Sequence, residues 1–420
     1  MKNKIKKIVD IPPHPASPWK GEEKIRVAIG MSGGVDSSVA AKILKDQGYE
    51  VIGFMMKLWP GSDPSVCDSR GKDNACCDID GLQDAKRIAA ILDIPFYVVD
   101  VREKFKKEVA DYFIEEYKSL RTPNPCVRCN ERIKFGWLLD FAKQTGCDYL
   151  ATGHYARIAS DLSFINSHFS LNEKLSNDQM NEKWKMVNGK FHLLRGKDDK
   201  KDQSYFLYRL NQDQLKHIIF PVGEFIKEET RALAKKWNLP VHEKKESQEI
   251  CFIQEKDYRD FLKKNISEEY FKEGDIVDMD DNVIGKHQGL INYTIGQRKG
   301  IEQISDNRYL ITVDKRPMYV VGFNVEKNQL IVGEDKDIYK DEMIIGDLSW
   351  VQSTDNRIQV TDNLSVKIRY RHPAVNCRIK NTDNSRQITV EFFEPQRAIT
   401  PGQSAVFYLE DEVLGGGIIQ

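Results

Sequence analysis

The 420-residue sequence has no apolar run that approaches the ~20 residues a membrane-spanning helix needs, which excludes a helical bilayer anchor. It has no surplus of charge of either sign: 63 Lys and Arg stand against 64 Asp and Glu, a formal net charge of -1. That balance argues against a generally basic nucleic-acid binder, since neutralising phosphate takes surplus cations, and leaves open only a local patch. A secretory leader is not expected either. Basic Met1 to Lys7 runs into Asp10 and then Pro12, Pro13, Pro15 and Pro18 instead of an apolar stretch, so a cytoplasmic protein is expected. What is present is globular. With 40% hydrophobic and 30% charged residues the chain is neither disordered nor collagenous, and its length predicts two or three domains of roughly 150 residues each. In a reducing compartment its eight cysteines (Cys67, Cys76, Cys77, Cys126, Cys129, Cys147, Cys251 and Cys377) are expected as ligands, nucleophiles or buried thiols instead of disulfides.

Hydrophobic periodicity predicts alternating strands and helices over the first third. Ile25 to Met31 reads as a buried strand, Val35 to Gln47 as a helix, Val51 to Met56 as a strand and Ile79 to Leu92 as a helix begun by Asp78. Phe96 to Val101 is a third strand. A helix striped by Phe105, Val109, Tyr112, Phe113, Tyr117 and Leu120 is expected to end at Pro123 and Pro125. Another, from about Asn130 to Lys143, leads to a strand at Tyr149 to Thr152. This is the pattern of an α/β doubly wound, mostly parallel sheet. The polar stretch from Ser160 to Asn188 reads as an inserted loop. Short helices follow from Gly223 to Lys264. From Gly274 the pattern turns to β, with runs at Leu310 to Val313, Tyr319 to Val321, Leu330 to Val332, Val366 to Tyr370, Gln387 to Phe393 and Ala405 to Leu409 that suggest a small antiparallel barrel at the end. The expected division is an extension over 1–24, a catalytic domain over 25–220 with an insert at 160–190, a central domain over 221–335 and a β-barrel over 336–420.

Ser32-Gly33-Gly34-Val35-Asp36-Ser37-Ser38 falls between the first strand and the first helix, where backbone N–H groups and the helix dipole converge on an anion. An ordinary Gly turn with a capping Ser or Asp is the bland alternative. The loop has no lysine at the place a Walker A loop requires, which disfavours a γ-phosphate kinase or switch GTPase. Further on, Thr122-Pro123-Asn124-Pro125-Cys126-Val127-Arg128-Cys129-Asn130 sets two thiols three positions apart in a Pro-constrained loop entering a helix. Arg128 and Arg132 lie nearby, an arrangement that lowers a thiol pKa. Cys251 stands in Glu246-Ser247-Gln248-Glu249-Ile250-Cys251-Phe252-Ile253, and only folding could bring it to Cys129.

The loop SGGVDSS resembles the pyrophosphate loop of ATP pyrophosphatases, which cleave ATP to AMP and pyrophosphate while adenylating a substrate oxygen. Further motifs narrow the choice: Gly153-His154-Tyr155-Ala156-Arg157, Lys201-Asp202-Gln203-Ser204-Tyr205-Phe206-Leu207, Tyr293-Thr294-Ile295-Gly296-Gln297-Arg298-Lys299-Gly300 and Pro401-Gly402-Gln403-Ser404-Ala405-Val406-Phe407-Tyr408. With the cysteine segments they make the chain similar to the bacterial tRNA-specific 2-thiouridylases from Ile25 to Gln420. The leader and the insert fall outside the shared pattern.

The resemblance implies an adenine nucleotide alpha hydrolase-like sheet and a tRNA-uridine 2-sulfurtransferase acting on the wobble uridine, position 34. It implies ATP held by Gly30, Met31, Ser32, Gly33, Gly34, Val35, Asp36 and Ser37, with Met56 and Gly153 flanking the adenosine and Asp36 a candidate partner for Mg²⁺. Uracil O2 is adenylated. A persulfide on Cys251, charged by a cysteine desulfurase or a sulfur-relay protein, supplies sulfur, and Cys129 is the nucleophile that completes transfer, leaving a Cys129–Cys251 disulfide for an external reductant. Asn124, Pro125 and Cys126 are implied around the flipped base, and His154, Lys201, Asp202, Gln203, Arg369, Tyr370 and Gln403 on tRNA. His154 after a strand is expected to bind and not to transfer protons. One well-known version of the family has Asp where Cys126 stands, which opens a second chemistry: Cys126, Cys129 and Cys251 as three ligands of a 4Fe-4S cluster.

Val366 to Lys380 holds Lys367, Arg369, Arg371, Arg378 and Lys380 with His372, Tyr370 and no acid, suited to RNA phosphate and base contact, or else a solvated strand face. A zinc site on Cys67, Cys76 and Cys77 with Cys126 or Cys129 is the lesser reading of those thiols beside surface or helix-capping positions, and Cys147 and Cys377 are expected to be packing residues. A monomer is expected. Two rivals remain: another AMP-forming ligase with the same loop, and a tRNA-binding module without catalysis.

Overall fold

The computed structural model describes residues 19–20, 23–59, 79–160, 190–245, 250–253, 257–301, 317–352, 363–380 and 386–420. Expectations for Cys67, Cys76, Cys77, the insert, Glu246 to Glu249 and the run Leu310 to Val313 lie outside the described residues.

The first domain is built on five parallel strands in the order Phe96–Asp100, Glu50–Lys57, Arg26–Gly30, Tyr149–Ala151, Ile218–Ile219. The first strand is buried on both faces, with Val27, Ala28 and Ile29 fully enclosed, as its unbroken apolar run requires. Helices Val35–Asp46 and Ile79–Leu92 pack one face through Val39, Ile43, Leu44 and Ile88. On the other, Phe135, Leu138 and Leu139 cover Ala28, Phe54 and Leu150. Strand order reverses between Arg26–Gly30 and Tyr149–Ala151, and at such a switch point the strand ends open a crevice for a ligand.

The middle domain is a four-stranded sheet in the order Val283–His287, Gly274–Val277, Gln329–Gly333, Tyr319–Asn324, filled by Ile276, Leu290, Val320, Leu330 and Val332. The last domain is a closed antiparallel barrel. Strands Tyr339–Trp350, Gln387–Arg397, Val375–Lys380, Leu364–Lys367, Ser404–Leu409 and Glu412–Ile419 follow one another, and the last pairs back to the first. Closure removes free edges. The hairpin Ala156–Ser160 with Phe191–Arg195, which belongs by sequence to the first domain, joins this sheet through Glu412 opposite Leu194. Among the described residues no helix is long and apolar enough to cross a membrane.

Three local expectations need correction. Pro125 does not end a helix but opens one: the preceding helix stops at Lys118, with Leu120 at positive φ, and Pro125 occupies the first turn of Pro125–Cys129, where its missing N–H costs nothing. The chain then runs on in helix through Asn130–Leu138, with wider i→i+5 turns, and Leu139–Gln144. Cys126 and Cys129 are therefore helical residues one turn apart and not loop residues. Second, the strand expected over Val366 to Tyr370 lies at Leu364–Lys367 and turns away after it. Third, a short fifth parallel strand at Ile218–Ile219 and the hairpin that carries the insert were not expected.

Candidate active site

Gly30 ends its strand and the helix begins at Val35, so the phosphate loop sits where the sequence put it. Gly33 takes φ +68°, and a Cβ there would come within 2.2 Å of Gly81 O, so only glycine fits. Ser32 N–H donates to Ser37 Oγ at 3.3 Å, and Ser38 Oγ donates to Gly34 O at 2.7 Å, which ties the turn into the first helical turn. Gly153 follows the strand on the other side of the switch point. A Cβ on it would lie 2.7 Å from Ser37 N, which brings Gly153 hard against the mouth of the loop. Met56 stands near the end of the neighbouring strand, partly buried. The loop, Met56 and Gly153 thus share one edge of the sheet. Asp36, expected as a metal partner, accepts instead from Lys227 Nζ through both oxygens at 2.8 Å and from Tyr155 OH at 2.8 Å. In this arrangement it is the counter-ion of an ammonium. Lys227 was not singled out in the sequence; its partner lies 191 residues away.

The cysteine helix is built by its own sequence. Asn124 caps it, its Oδ1 accepting from Val127 N–H at 3.3 Å. Cys126 is exposed and Cys129 is buried. Cys129 belongs to a cluster that includes Phe105, Phe113, Ile133, Phe252 and Ile253, with Cys251 packed against it. The neighbour of Cys251 holds it there. Phe252 meets Trp59, Phe105, Phe113 and Phe261 with ring centroids 5.4 to 5.8 Å away. Folding therefore brings Cys129 and Cys251 to one apolar cluster. Among the described residues no three His, Cys, Asp or Glu side chains gather as a metal-binding group. The cations expected beside the thiols are matched by acids: Arg128 pairs with Glu131 and Glu108, and Arg132 with Glu131.

The scattered motifs meet at Thr122. Its N–H donates to Pro401 O at 2.8 Å, its Oγ1 lies 3.2 Å from Thr294 Oγ1, and its carbonyl accepts from Gln403 Nε2 at 2.9 Å. One residue ahead of Pro123 thus joins all three domains. Tyr205 OH donates to Ser404 O at 2.8 Å, and Asn130 Nδ2 donates to Phe206 O at 3.1 Å, drawing the 201–207 motif into the same junction.

The residues expected on tRNA divide. Tyr370 packs its ring 4.3 Å from that of Phe206. Arg369 donates to Arg397 O and Ala398 O at 2.9 and 2.7 Å, and burial depresses its pKa. Asp202 is buried and accepts from Gly196 N–H, Ser204 N–H and Ser204 Oγ, which shapes the turn carrying Lys201. Gln203 Oε1 accepts from Tyr155 N–H at 2.9 Å. His154 is buried, its Nδ1 2.7 Å from Thr152 Oγ1 and its Nε2 3.5 Å from Lys134 Nζ. An ammonium only donates, so Nε2 accepts and the proton sits on Nδ1. Burial first, then Lys134, hold the imidazole pKa well below its ordinary value. The acid-free run in sequence is not acid-free in space. Arg378 pairs with Glu391, and Lys380 with Glu391 on the adjacent strand and with Glu342 on the strand beyond it. Cross-strand neighbours are invisible to a reading along the chain. Cys147 and Cys377 are buried; burial raises both thiols, Cys377 to about 12.

Comparison with known proteins follows the same division. Residues 25–255 match a family model described as a tRNA methyl transferase HUP domain, 259–334 one described as a PRC-barrel domain, and 340–419 one described as an aminomethyltransferase β-barrel domain. The chain is 46% identical over 397 residues, 94% of its length and 98% of the relative's, to the tRNA-specific 2-thiouridylase MnmA 1 of Caldanaerobacter subterraneus. It is 43% identical to the tRNA-specific 2-thiouridylase MnmA of Clostridioides difficile over 94% of this chain and 98% of that one. The chain belongs to the tRNA-specific 2-thiouridylase family. Family membership accounts for the order of the three domains: a HUP-type parallel sheet, a PRC-barrel middle domain and a closed antiparallel barrel. The resemblance drawn from the motifs holds over the whole length from the first strand onward.

Proposed function

We propose that the protein is an ATP-dependent tRNA-uridine 2-sulfurtransferase that thiolates C2 of the wobble uridine, position 34. The observation that carries this reading is the placing of Cys129 and Cys251, distant in sequence, on one buried cluster in a chain whose phosphate loop stands at a sheet switch point.

Uracil O2 attacks the α-phosphorus of ATP, pyrophosphate leaves, and C2 acquires an AMP leaving group. A terminal sulfur carried on Cys251 as a persulfide attacks C2 and displaces AMP. The Cys129 thiol then attacks Cys251 Sγ, so that the S–S bond to the base breaks, the Cys129–Cys251 disulfide forms and 2-thiouridine departs. A dithiol reductant returns both cysteines, and a cysteine desulfurase or relay protein recharges Cys251. The backbone N–H groups of the loop hold the phosphates, and the helix start at Asn124, Pro125 and Cys126 lies against the extruded base. Lys201, Arg369 and Tyr370 contribute to the tRNA face, while Gln403 braces the cysteine helix from the barrel. His154, with its proton on Nδ1, supports this face as a fixed neutral hydrogen-bonding group. No step is assigned to an iron–sulfur cluster or to Mg²⁺. Methyl transfer, named in the HUP-domain description, would call for neither a pyrophosphate loop nor paired thiols.

Replacing Cys129 or Cys251 by Ser is expected to abolish 2-thiouridine in substrate tRNA while ATP binding stays intact. Unchanged 2-thiouridine in either variant overturns the assignment. Release of AMP on adding tRNA separates the enzyme from a tRNA-binding module that has lost catalysis.

A further inference from the structure

The phosphate loop carries no lysine of its own, yet an ammonium stands at its mouth. Lys227 opens the helix Lys227–Lys236, and its side chain is 8% exposed against 30% for Asp36, whose two oxygens it binds. The lysine is held from several sides. Its backbone N–H donates to Asp198 Oδ2 at 2.8 Å, and its Nζ lies 5.6 Å from the centre of the Tyr155 ring. Tyr155 OH in turn binds Asp36 at 2.8 Å and Thr230, on the lysine's own helix, at 3.0 Å. Asp36 is in the first turn of the loop helix, beside Ser37, whose N–H is closed on by Gly153. The buried ammonium is therefore fixed to the first turn of the helix that the phosphate loop enters, through Asp36.

A buried ion pair serving stability alone gains little over apolar packing of the same volume. A compact ammonium beside an anion-binding turn has a further use, because it supplies the positive charge that backbone donors lack. We propose that Lys227 is the phosphate-binding cation of the ATP site, delivered to the loop from 191 residues downstream, with Asp36 and Tyr155 as the groups that hold it in place. In a Walker A loop the lysine belongs to the loop itself; here it comes from a later helix of the same domain that packs against the loop helix. The inference rests on the ATP reading above and adds to it a residue that touches the β- and γ-phosphates, and hence the departing pyrophosphate.

The test is calorimetric titration of the full-length protein with ATP, inorganic pyrophosphate and AMP. Lys227→Met and Lys227→Gln are expected to weaken ATP and pyrophosphate about tenfold or more, the scale of one lost charge-assisted hydrogen bond, and to leave AMP within about twofold. Lys227→Arg should recover most of the loss. The Gln variant keeps a donor for Asp36, so it decides the matter if the Met variant does not fold. Unaltered ATP affinity overturns the proposal, and so does an equal loss for AMP and ATP, which marks a purely structural role. A wild-type protein that binds neither ATP nor AMP overturns the ATP reading itself.

Discussion

His154 shows how far a single side chain departs from its free behaviour in this fold. Charging it in place is unfavourable, so the unfolded chain takes up the proton at a higher pH than the native protein does. The stability this group confers is complete above the ordinary histidine value of about 6.5 and is lost as the pH falls below it toward the depressed native value. His217, His287 and His372 shift the same way, so the contribution of His154 is a difference measurement. Thermal melts of wild type and His154→Gln between about pH 7 and pH 5 should show a steeper fall for the wild type. Equal slopes would place the acid sensitivity elsewhere. Phe252 is the second residue whose environment can be weighed. Cutting it to Ala empties the centre of the ring cluster and should cost about 3 to 5 kcal/mol in denaturant unfolding. With the ring gone Cys251 loses its anchor, so thiolation should fall even below the unfolding midpoint.

At the scale of elements, the approach of the strand end at Gly153 to the helix end at Ser37 is a contact that a methyl group breaks. Gly153→Ala pushes against backbone, which cannot turn aside as a side chain can. ATP affinity should drop about tenfold or more and the melting temperature should fall with it, because backbone must shift to admit the methyl group, and a titration beside a melt checks both. Asn124→Ala removes the cap of Pro125–Cys129 and should cost about 1 kcal/mol, read as faster alkylation of Cys129. Elements were also where the sequence spoke most clearly. The strand at Arg26–Gly30 and the helices after it could be read because an apolar run and a 3.6-residue stripe are local signals. Pro125 misled because a proline ends one helix and begins another by the same chemistry. Arg378 and Lys380 misled because their acids stand across the sheet. Lys227 passed unseen for the same reason: what gives it meaning is Asp36, and no pattern along the chain links the two. The phosphate loop and the three cysteines, by contrast, announced themselves through residue types that ordinary packing does not call for.

Across the whole molecule, the first domain and the barrel do not have separate interiors. Tyr205, Tyr208 and Leu193 share one cluster with Val406, Tyr408 and Val413, and His192 is hydrogen-bonded to buried Glu412 at 2.7 Å. The catalytic domain and the barrel should therefore melt in one transition, followed by tryptophan fluorescence and circular dichroism together; two resolved transitions with the barrel lost first would contradict this. Residues 25–255 produced alone should aggregate or melt without cooperativity, because the strand that covers Phe191–Arg195 is missing. Gln403→Ala, which removes one of the barrel's ties to the residues just before the cysteine helix, should lower thiolation more than ATP binding. The welded hairpin also sets a clock. His192 and its partner Glu412 are 220 residues apart. A ribosome adding roughly 5 to 20 residues per second would leave the uncovered strand waiting roughly ten to forty seconds for its neighbour. Once Ile218–Ile219 and Lys227–Lys236 have also been made, the nascent chain has its nucleotide fold but an open sticky edge, so it is a natural client for a chaperone, and slower translation of the barrel would show first as lost yield and not as lost activity per molecule.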